Sequence, residues 1–516
     1  MNNNIIIFVV FWGIWILLPV VFDGLKVLIE TITVLIWGRD FRKHNVPKEE
    51  LPLVSIIVPT YNEEENIYEC LSHLKIQTYP HKKLEIIVVD NGSVDKTREI
   101  VLDHITPSGS NGLIAKNNGG KVRIHGESFE FGEFAGVIDL VIRPEKGKAE
   151  ALNEGILRAR GEIVITIDSR TFLAPQAIYN MVAKFLEEPK MVACTGNIEI
   201  NWQMVYARDG NGRVLVDGDG HLQRKPLSMK ESFLAKCQFL EYLSGFRLGR
   251  QFQDLTDSMY TLAGAFSGFR KTALMTLYDS VTVSEDTDLT LALQRQKFHI
   301  GYVADAKAYL RPLVSWEKLY AQRVRWARGE MEVFGLYDKF AKRLRNSWGK
   351  AVFYPLLLLT DHTFTFPRLI WTLLLPLMVL FGYSFYVIGM AILLMIGFYM
   401  AIDLFIICCC WLIVDSKTRQ QIRQSFHYFL VMWLYRFAIY FFRMSAYLVT
   451  CKEEAEWTVE KSPIKSAKRI AREFRHRRRQ PVAQLAPAEE EKIQTIIRVI
   501  DGLNHNNSLK KNGRSG

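Results

Sequence analysis

The chain is 516 residues long, 49% hydrophobic and 23% charged, with a formal net charge of +11. That length accommodates more than one domain of the usual about 100–200 residues. Its seven cysteines show no CxxC or His-Cys spacing, which argues against a zinc site or a disulfide framework and for reduced thiols.

The first predicted element is an apolar run, Ile5 to Phe22, free of charge and long enough for a hydrocarbon core of roughly 30 Å. It lacks the basic start and the small-residue cleavage site of a secretory signal. A basic cluster with Arg39, Arg42 and Lys43 follows, and a second, Lys339 to Lys350, precedes the next apolar block. The positive-inside rule therefore places the soluble stretch between them in the cytoplasm. Leu369 to Val414 has Asp403 as its only charge and breaks near Gly382-Tyr383-Ser384, which predicts two spans joined by a tight turn. His427 to Val449 is apolar and aromatic but carries Arg436 and Arg443 on one helix face. An interfacial helix is expected there, with both arginines toward headgroups. The tail run KSAKRIAREFRHRRR, Lys465 to Arg479, suits anionic lipid better than nucleic acid, and a solvated tail is the alternative. The expected divisions are 1–45, a membrane segment and basic linker; 46–342, a cytosolic domain; and 343–366, an interfacial amphipathic segment. Two membrane helices at 367–415, a basic loop with an interfacial or membrane helix at 416–455, and a basic, partly disordered cytosolic tail at 456–516 complete them.

The cytosolic domain opens with LVSIIVPTYNEEENI. Val54 to Val58 reads as a buried strand stopped by Pro59, with Asn62 turning into a helix start. LEIIVVDNGSVDKT reads as strand then loop, DLVIRPEKGKAEALNEGILRARG as strand, loop and helix, and GEIVITIDSRT as another strand. Strands alternating with helices predict a mixed, mostly parallel α/β sheet, and ligands of such sheets lie beyond the carboxyl ends of the strands. Thr60, Tyr61, Glu63, Asp90 and Asp168 fall at that edge. Residues 106–135 read as a polar insertion or hairpin. Residues 206–225, with RDGNGRVLVDGDGH, read as two strand-like pieces around Asp-Gly and Asn-Gly turns.

TYNEEE, VVDNGS, EKGKAEALN, GAFSGFR, VSEDTDL and QRVRW occur in that order over Pro52 to Trp326. Together they resemble the processive family 2 glycosyltransferases, membrane synthases of cellulose, hyaluronan, chitin oligosaccharides and poly-N-acetylglucosamine. QFLEYLSGFRLGRQFQ and GAFSGFRKTAL point toward the last two. The resemblance implies a nucleotide-diphospho-sugar transferase (GT-A type) α/β domain and an inverting transfer from a cytosolic nucleotide sugar, usually UDP-linked. The acceptor it implies is a growing glycan, or a lipid-linked acceptor if the enzyme is not processive. It also implies roles. Tyr61 packs on the base, with Thr60 in the same turn and Glu63 hydrogen bonding; Asp90 holds the nucleotide, and Lys148 meets it or its phosphates. Asp286 is the base that takes the acceptor proton. Gln322, Arg325 and Trp326 share a helix face; Arg325, with Arg323 as a second candidate, neutralises the departing diphosphate, and Trp326 faces an acceptor sugar.

One position departs from the family pattern. Where DxD usually stands, this chain has Asp168-Ser169-Arg170. Asp168 remains as a ligand for the Mg²⁺ or Mn²⁺ the family implies, since such ions are often held by one or two carboxylates plus phosphates and water. Arg170 has two open readings, as a substitute cation on the phosphates or as a partner in a salt bridge. Membrane lipids and, with so few spans, an envelope or export protein are the other expected partners. An inactive scaffold subunit is the rival from another class, opposed by the retention of Asp286 and QRVRW.

Overall fold

A computed structural model of the chain describes residues 23–38, 46–105, 120–124, 127–134, 137–143, 147–207, 223–274, 285–296, 298–341 and 376–450. The chain divides into two compact units, Met1–Pro463 and Ile464–Gly516, and all described residues belong to the first. The apolar run Ile5 to Phe22, the segment 343–366, the turn-rich stretch 208–222 and the basic tail lie outside them.

The strands are β1 (Val54–Thr60), β2 (Leu84–Asp90), β3 (Gly120–Ile124), β4 (Glu127–Phe134), β5 (Val137–Ile142), β6 (Ile163–Ile167), β7 (Thr171–Leu173), β8 (Met191–Ile200), β9 (Phe266–Arg270) and β10 (His299–Leu310). Eight of them form one sheet in the order β5-β2-β1-β6-β9-β8-β10-β7. The pairs β5–β2, β2–β1, β1–β6 and β8–β10 are parallel, whereas β9 runs antiparallel to both neighbours and β7 antiparallel to β10. This is the mixed, mostly parallel sheet that the alternation of strands and helices predicts. β1 and β2 are buried at all seven positions, as expected of strands covered on both faces. Chain order leaves β1 for β2 on one side and returns to β6 on the other, so a crevice opens at their carboxyl ends. The insertion at 106–135 contributes β3 and β4, an antiparallel pair outside the main sheet.

One boundary differs from expectation. β1 does not stop at Pro59 but continues to Thr60, which pairs with Asp90. β6 pairs with β1 only as far as Ile57, so the missing N–H of Pro59 falls where that side of the ladder has already ended.

The helices are α1 (Leu25–Trp37), α2 (Ile67–Lys75), α3 (Thr97–Ile105), α4 (Lys148–Arg158), α5 (Ala177–Glu187), α6 (Met229–Tyr242), α7 (Gln251–Leu255), α8 (Glu285–Arg295), α9 (Trp316–Ala341), α10 (Phe385–Ile413), α11 (Ser416–Ser425) and α12 (Met432–Thr450). A π-helical stretch, Leu243–Arg250, joins α6 to α7. α10 is long and apolar enough to cross a membrane. Gly382 (φ +86°) and the cap Ser384 make the break before it, where the sequence places a turn between two spans. The first of those spans falls largely outside the described residues. α12 follows a 77° bend between Ser416–Leu430 and Met432–Ala446. Arg436 does not face outward as expected. It is ion-paired with buried Asp403 of α10, because a charge among apolar helices needs a partner more than it needs headgroups.

Candidate active site

The loops after β1 and β2 are tied together by side chains that sequence order alone leaves unconnected. The backbone of Asn62 donates to Ser93 Oγ at 3.0 Å, its Oδ1 accepts from the Val94 N–H at 2.9 Å, and the Glu63 N–H donates to Thr97 Oγ1 at 2.8 Å. Asn62 takes φ +53°, a left-handed turn that asparagine tolerates well. This bracing leaves Tyr61 41% exposed at the crevice, with Thr60 beneath it. Asp90 is fully buried behind that wall, ion-paired with Arg98 and accepting the Ser93 N–H at 3.2 Å. Its neighbour Asn91, not Asp90, lines the cavity.

The carboxyl end of β6 meets two helix N-termini. α4 begins at Lys148, and its Nζ lies 2.8 Å from Asp168 Oδ1 and 3.0 Å from Glu285 Oε1. α8 begins at Glu285 and carries Glu285, Asp286 and Asp288 in its first turn, where the helix dipole favours negative charge. Burial opposes the charge of Lys148, but Asp168 and then Glu285 outweigh it, and the amine is held above its ordinary range. Burial pushes the Glu285 carboxyl up; Lys148 opposes this and the adjacent Asp286 adds to it. Repulsion within the acid cluster thus adds to burial at Glu285. Asp286 Oδ2 accepts the Gly264 N–H at 3.1 Å, and its Oδ1 accepts the Thr287 N–H at 2.8 Å.

Gly264 leaves room for this arrangement. A Cβ there would stand 2.9 Å from Asp286 Oδ2 and 3.3 Å from Lys148 Nζ. Gly264→Ala is therefore expected to displace the Asp286 carboxylate and lower kcat by about 10- to 100-fold, as about 1 Å misplacements of reacting groups do. The fold should persist, because the atoms crowded are side-chain termini. Steady-state kinetics alongside a thermal melt check this, and a variant with unchanged kcat would mean that the position of Asp286 is immaterial.

Arg170 resolves between its two readings. Its Nε and Nη2 donate to Glu63 Oε1 at 2.7 and 2.6 Å, and Glu63 Oε2 accepts from Asn66 Nδ2 at 2.8 Å. The guanidinium of Arg170 is thus in a salt bridge to Glu63, in the turn that follows β1. Asp168, with 38% of its side chain exposed, offers one carboxylate to a cation. Among the described residues no three His, Cys, Asp or Glu side chains cluster as a metal site.

α9 carries QRVRW. Gln322, Arg325 and Trp326 line the same cavity as Tyr61, Lys148, Asp168 and Asp286, and Trp326 is 41% exposed in it. Arg323 is 4% exposed; it bonds Glu241 of α6 at 2.5 Å and packs 4.4 Å from the Trp326 ring. It lines the same cavity. The cavity measures about 1780 Å³ and runs from the sheet edge to α1, α10 and α12, where Lys26, Tyr399, Ile406 and Arg443 line it. Glu285, Gly264, Glu241 and Tyr435 went without assigned roles in the sequence reading. The first three lie within the motifs that carry the resemblance, whereas Tyr435 sits in an apolar segment with no local signal.

The chain matches the model of glycosyl transferase family 2 over residues 55–126 and 130–277, and that of glycosyl transferase family group 2 over residues 222–414. The poly-beta-1,6-N-acetyl-D-glucosamine synthase of Staphylococcus epidermidis is 30% identical over 282 residues, covering 54% of this chain and 55% of its own. The protein of the same name from Staphylococcus aureus (strain COL) is 28% identical over 302 residues, 58% of this chain and 60% of its own. The chain thus spans little more than half the length of these curated relatives. Among solved structures, the mannosyltransferase PcManGT from Pyrobaculum calidifontis, in complex with GDP-Man and Mn²⁺, aligns with 86% of this chain and 99% of its own at TM-score 0.47 and 17% identity.

Proposed function

We propose, from the match to the glycosyl transferase family 2 model, that the chain is a membrane-bound inverting glycosyltransferase extending a β-linked polysaccharide from a cytosolic UDP-sugar. The observation that carries this reading is the convergence of Lys148, Asp168, Glu285 and Asp286 at one sheet edge, in a cavity shared with Arg325 and Trp326. The nucleobase packs on Tyr61, and the Glu63–Arg170 pair fixes that wall. The diphosphate lies toward Lys148 and Arg325, whose charges offset the negative charge released on the leaving group. The acceptor hydroxyl attacks the anomeric carbon from the opposite side, and its proton passes to Asp286 as the bond to the β-phosphate oxygen breaks. Trp326 gives the acceptor ring a flat apolar surface.

A Mg²⁺ or Mn²⁺, when bound, would neutralise part of the diphosphate charge. Asp168 would be its carboxylate ligand, with phosphate oxygens and water completing the shell. α10 and the basic clusters beside the apolar blocks support a membrane protein with its catalytic domain in the cytoplasm.

The test is purified protein in lipid nanodiscs, given each of a panel of radiolabelled UDP-sugars. Consumption of one donor with release of UDP and growth of a polymer is expected. Transfer of a single sugar would replace polymerisation by one-step transfer, and neither transfer nor hydrolysis of any donor would overturn the reading in favour of a scaffold.

A further inference from the structure

The second residue of QRVRW is held in an unusual way. Arg323 is buried in the wall of the cavity, and its Nη2 donates to Glu241 Oε2 at 2.5 Å and to the Tyr435 hydroxyl at 3.4 Å. The Tyr435 hydroxyl in turn donates to the same Glu241 oxygen at 2.7 Å. Tyr435 is 1% exposed. The three side chains come from α9, α6 and α12, so the triad ties the catalytic domain to the helix that follows the apolar block. The rest of the guanidinium has no such bonds: Nε and Nη1 find no hydrogen-bond partner among the described residues. What they meet instead is aromatic. The guanidinium carbon lies 4.4 Å from the Trp326 ring centre and 5.8 Å from that of Tyr242, and those two rings are themselves 6.4 Å apart. A guanidinium stacks well on indole and phenol faces.

The charge of Arg323 is offset by Glu241. What the side chain offers is a rigid plate against Trp326, the one ring of this group that is substantially exposed to the cavity. Resting on the reading of Trp326 as the acceptor platform, we propose that Glu241 and Tyr435 are positioning residues for the acceptor sugar. They clamp Arg323 in the orientation that fixes the Trp326 ring. Tyr435 thereby makes the acceptor end of the cavity sensitive to the placement of α12.

The experiment uses the full chain in nanodiscs, with a β-1,6-linked N-acetylglucosamine pentamer as acceptor probe and the variants Tyr435→Phe, Glu241→Gln, Trp326→Ala and Tyr435→Phe/Trp326→Ala. Tyr435→Phe should raise the KM for the pentamer about 10-fold, the scale of one lost hydrogen bond to a charged group. It should leave kcat at saturating pentamer within about threefold, and UDP affinity by calorimetry within about twofold, since neither depends on that bond. Glu241→Gln should act in the same direction. In the Trp326→Ala background, Tyr435→Phe should have no further effect on KM, because coupled residues are non-additive. An additive KM penalty in that background overturns the proposal, and so does a loss of UDP affinity as large as the loss for the pentamer. If Glu241→Gln does not fold, Tyr435→Phe, which removes one hydroxyl, decides alone. A wild type that binds UDP but ignores the pentamer sinks the proposal and leaves the donor site standing. One that binds no UDP sinks the glycosyltransferase reading and the proposal with it.

Discussion

Asp286→Asn should lower kcat by about 10²- to 10⁴-fold, the range a positioned general base supplies, while changing UDP affinity by no more than about twofold. The asparagine keeps the side chain's size, and its Oδ1 can still accept the Gly264 N–H that now holds Asp286 Oδ2 at 3.1 Å. What it loses is the capacity to take a proton. The same substitution removes one negative charge beside Glu285, whose carboxyl stands above its ordinary range through burial, with Lys148 opposing and Asp286 adding. That easing of repulsion should leave the variant at least as stable as the wild type. Single-turnover measurement of UDP release at saturating acceptor, paired with a calorimetric UDP titration, separates the two effects. A variant with wild-type turnover would move the base elsewhere, and Glu285 is too tightly held by Lys148 to take its place without rearrangement.

The contrast between Asp286 and Arg323 shows which parts of such a site a sequence discloses. Residues that act at strand ends and helix starts are announced by local pattern: β1, β2 and β6 are mostly apolar, buried runs, and each ends on or just before its polar residue. Lys148 and Asp286 open helices, where chain direction and dipole fix their placement. The sheet order is less legible. GAFSGFR was readable as a motif, but nothing local shows that it forms β9, inserted antiparallel between β6 and β8. Pro59 misled because proline's cost in a strand depends on which neighbour is present, a tertiary fact. Arg170 and Arg323 were legible as cations and not as to partner. Their engagement by Glu63 and Glu241 spans sequence separations that no periodicity encodes. Arg436 was read by its segment's amphipathicity, whereas the deciding feature is Asp403, on a different helix.

Lys148→Ala should weaken UDP binding by about 10- to 100-fold, the value of a charge-assisted hydrogen bond or two. Two carboxylates, Asp168 and Glu285, lie within 3.0 Å of its Nζ, and Asp286 stands close enough to add to its protonation. Removing the amine leaves three acids facing the place where a diphosphate must lie, so the donor is repelled as well as deprived of a contact. Folding feels the change too, and its sign can be worked out. Glu285 already has a folded-state pKa above its unfolded value. A raised carboxyl costs stability once pH climbs above the unfolded value, and that cost vanishes again in acid, where both states are protonated. Without Lys148 to oppose it, the pKa rises further, so the melting temperature of Lys148→Ala should climb as the buffer is taken from about pH 7.5 to 5.5, within reach of the ordinary glutamate range. The wild type, with the amine in place, should respond less over the same interval. Lys148→Arg, which keeps the charge, should restore most of the stability and only part of the affinity, because the longer planar group cannot occupy the same point between Asp168 and Glu285. If UDP binds to Lys148→Ala as tightly as to the wild type, the lysine is a counter-ion of the acid cluster alone, and the donor's phosphates must find their positive charge in Arg325.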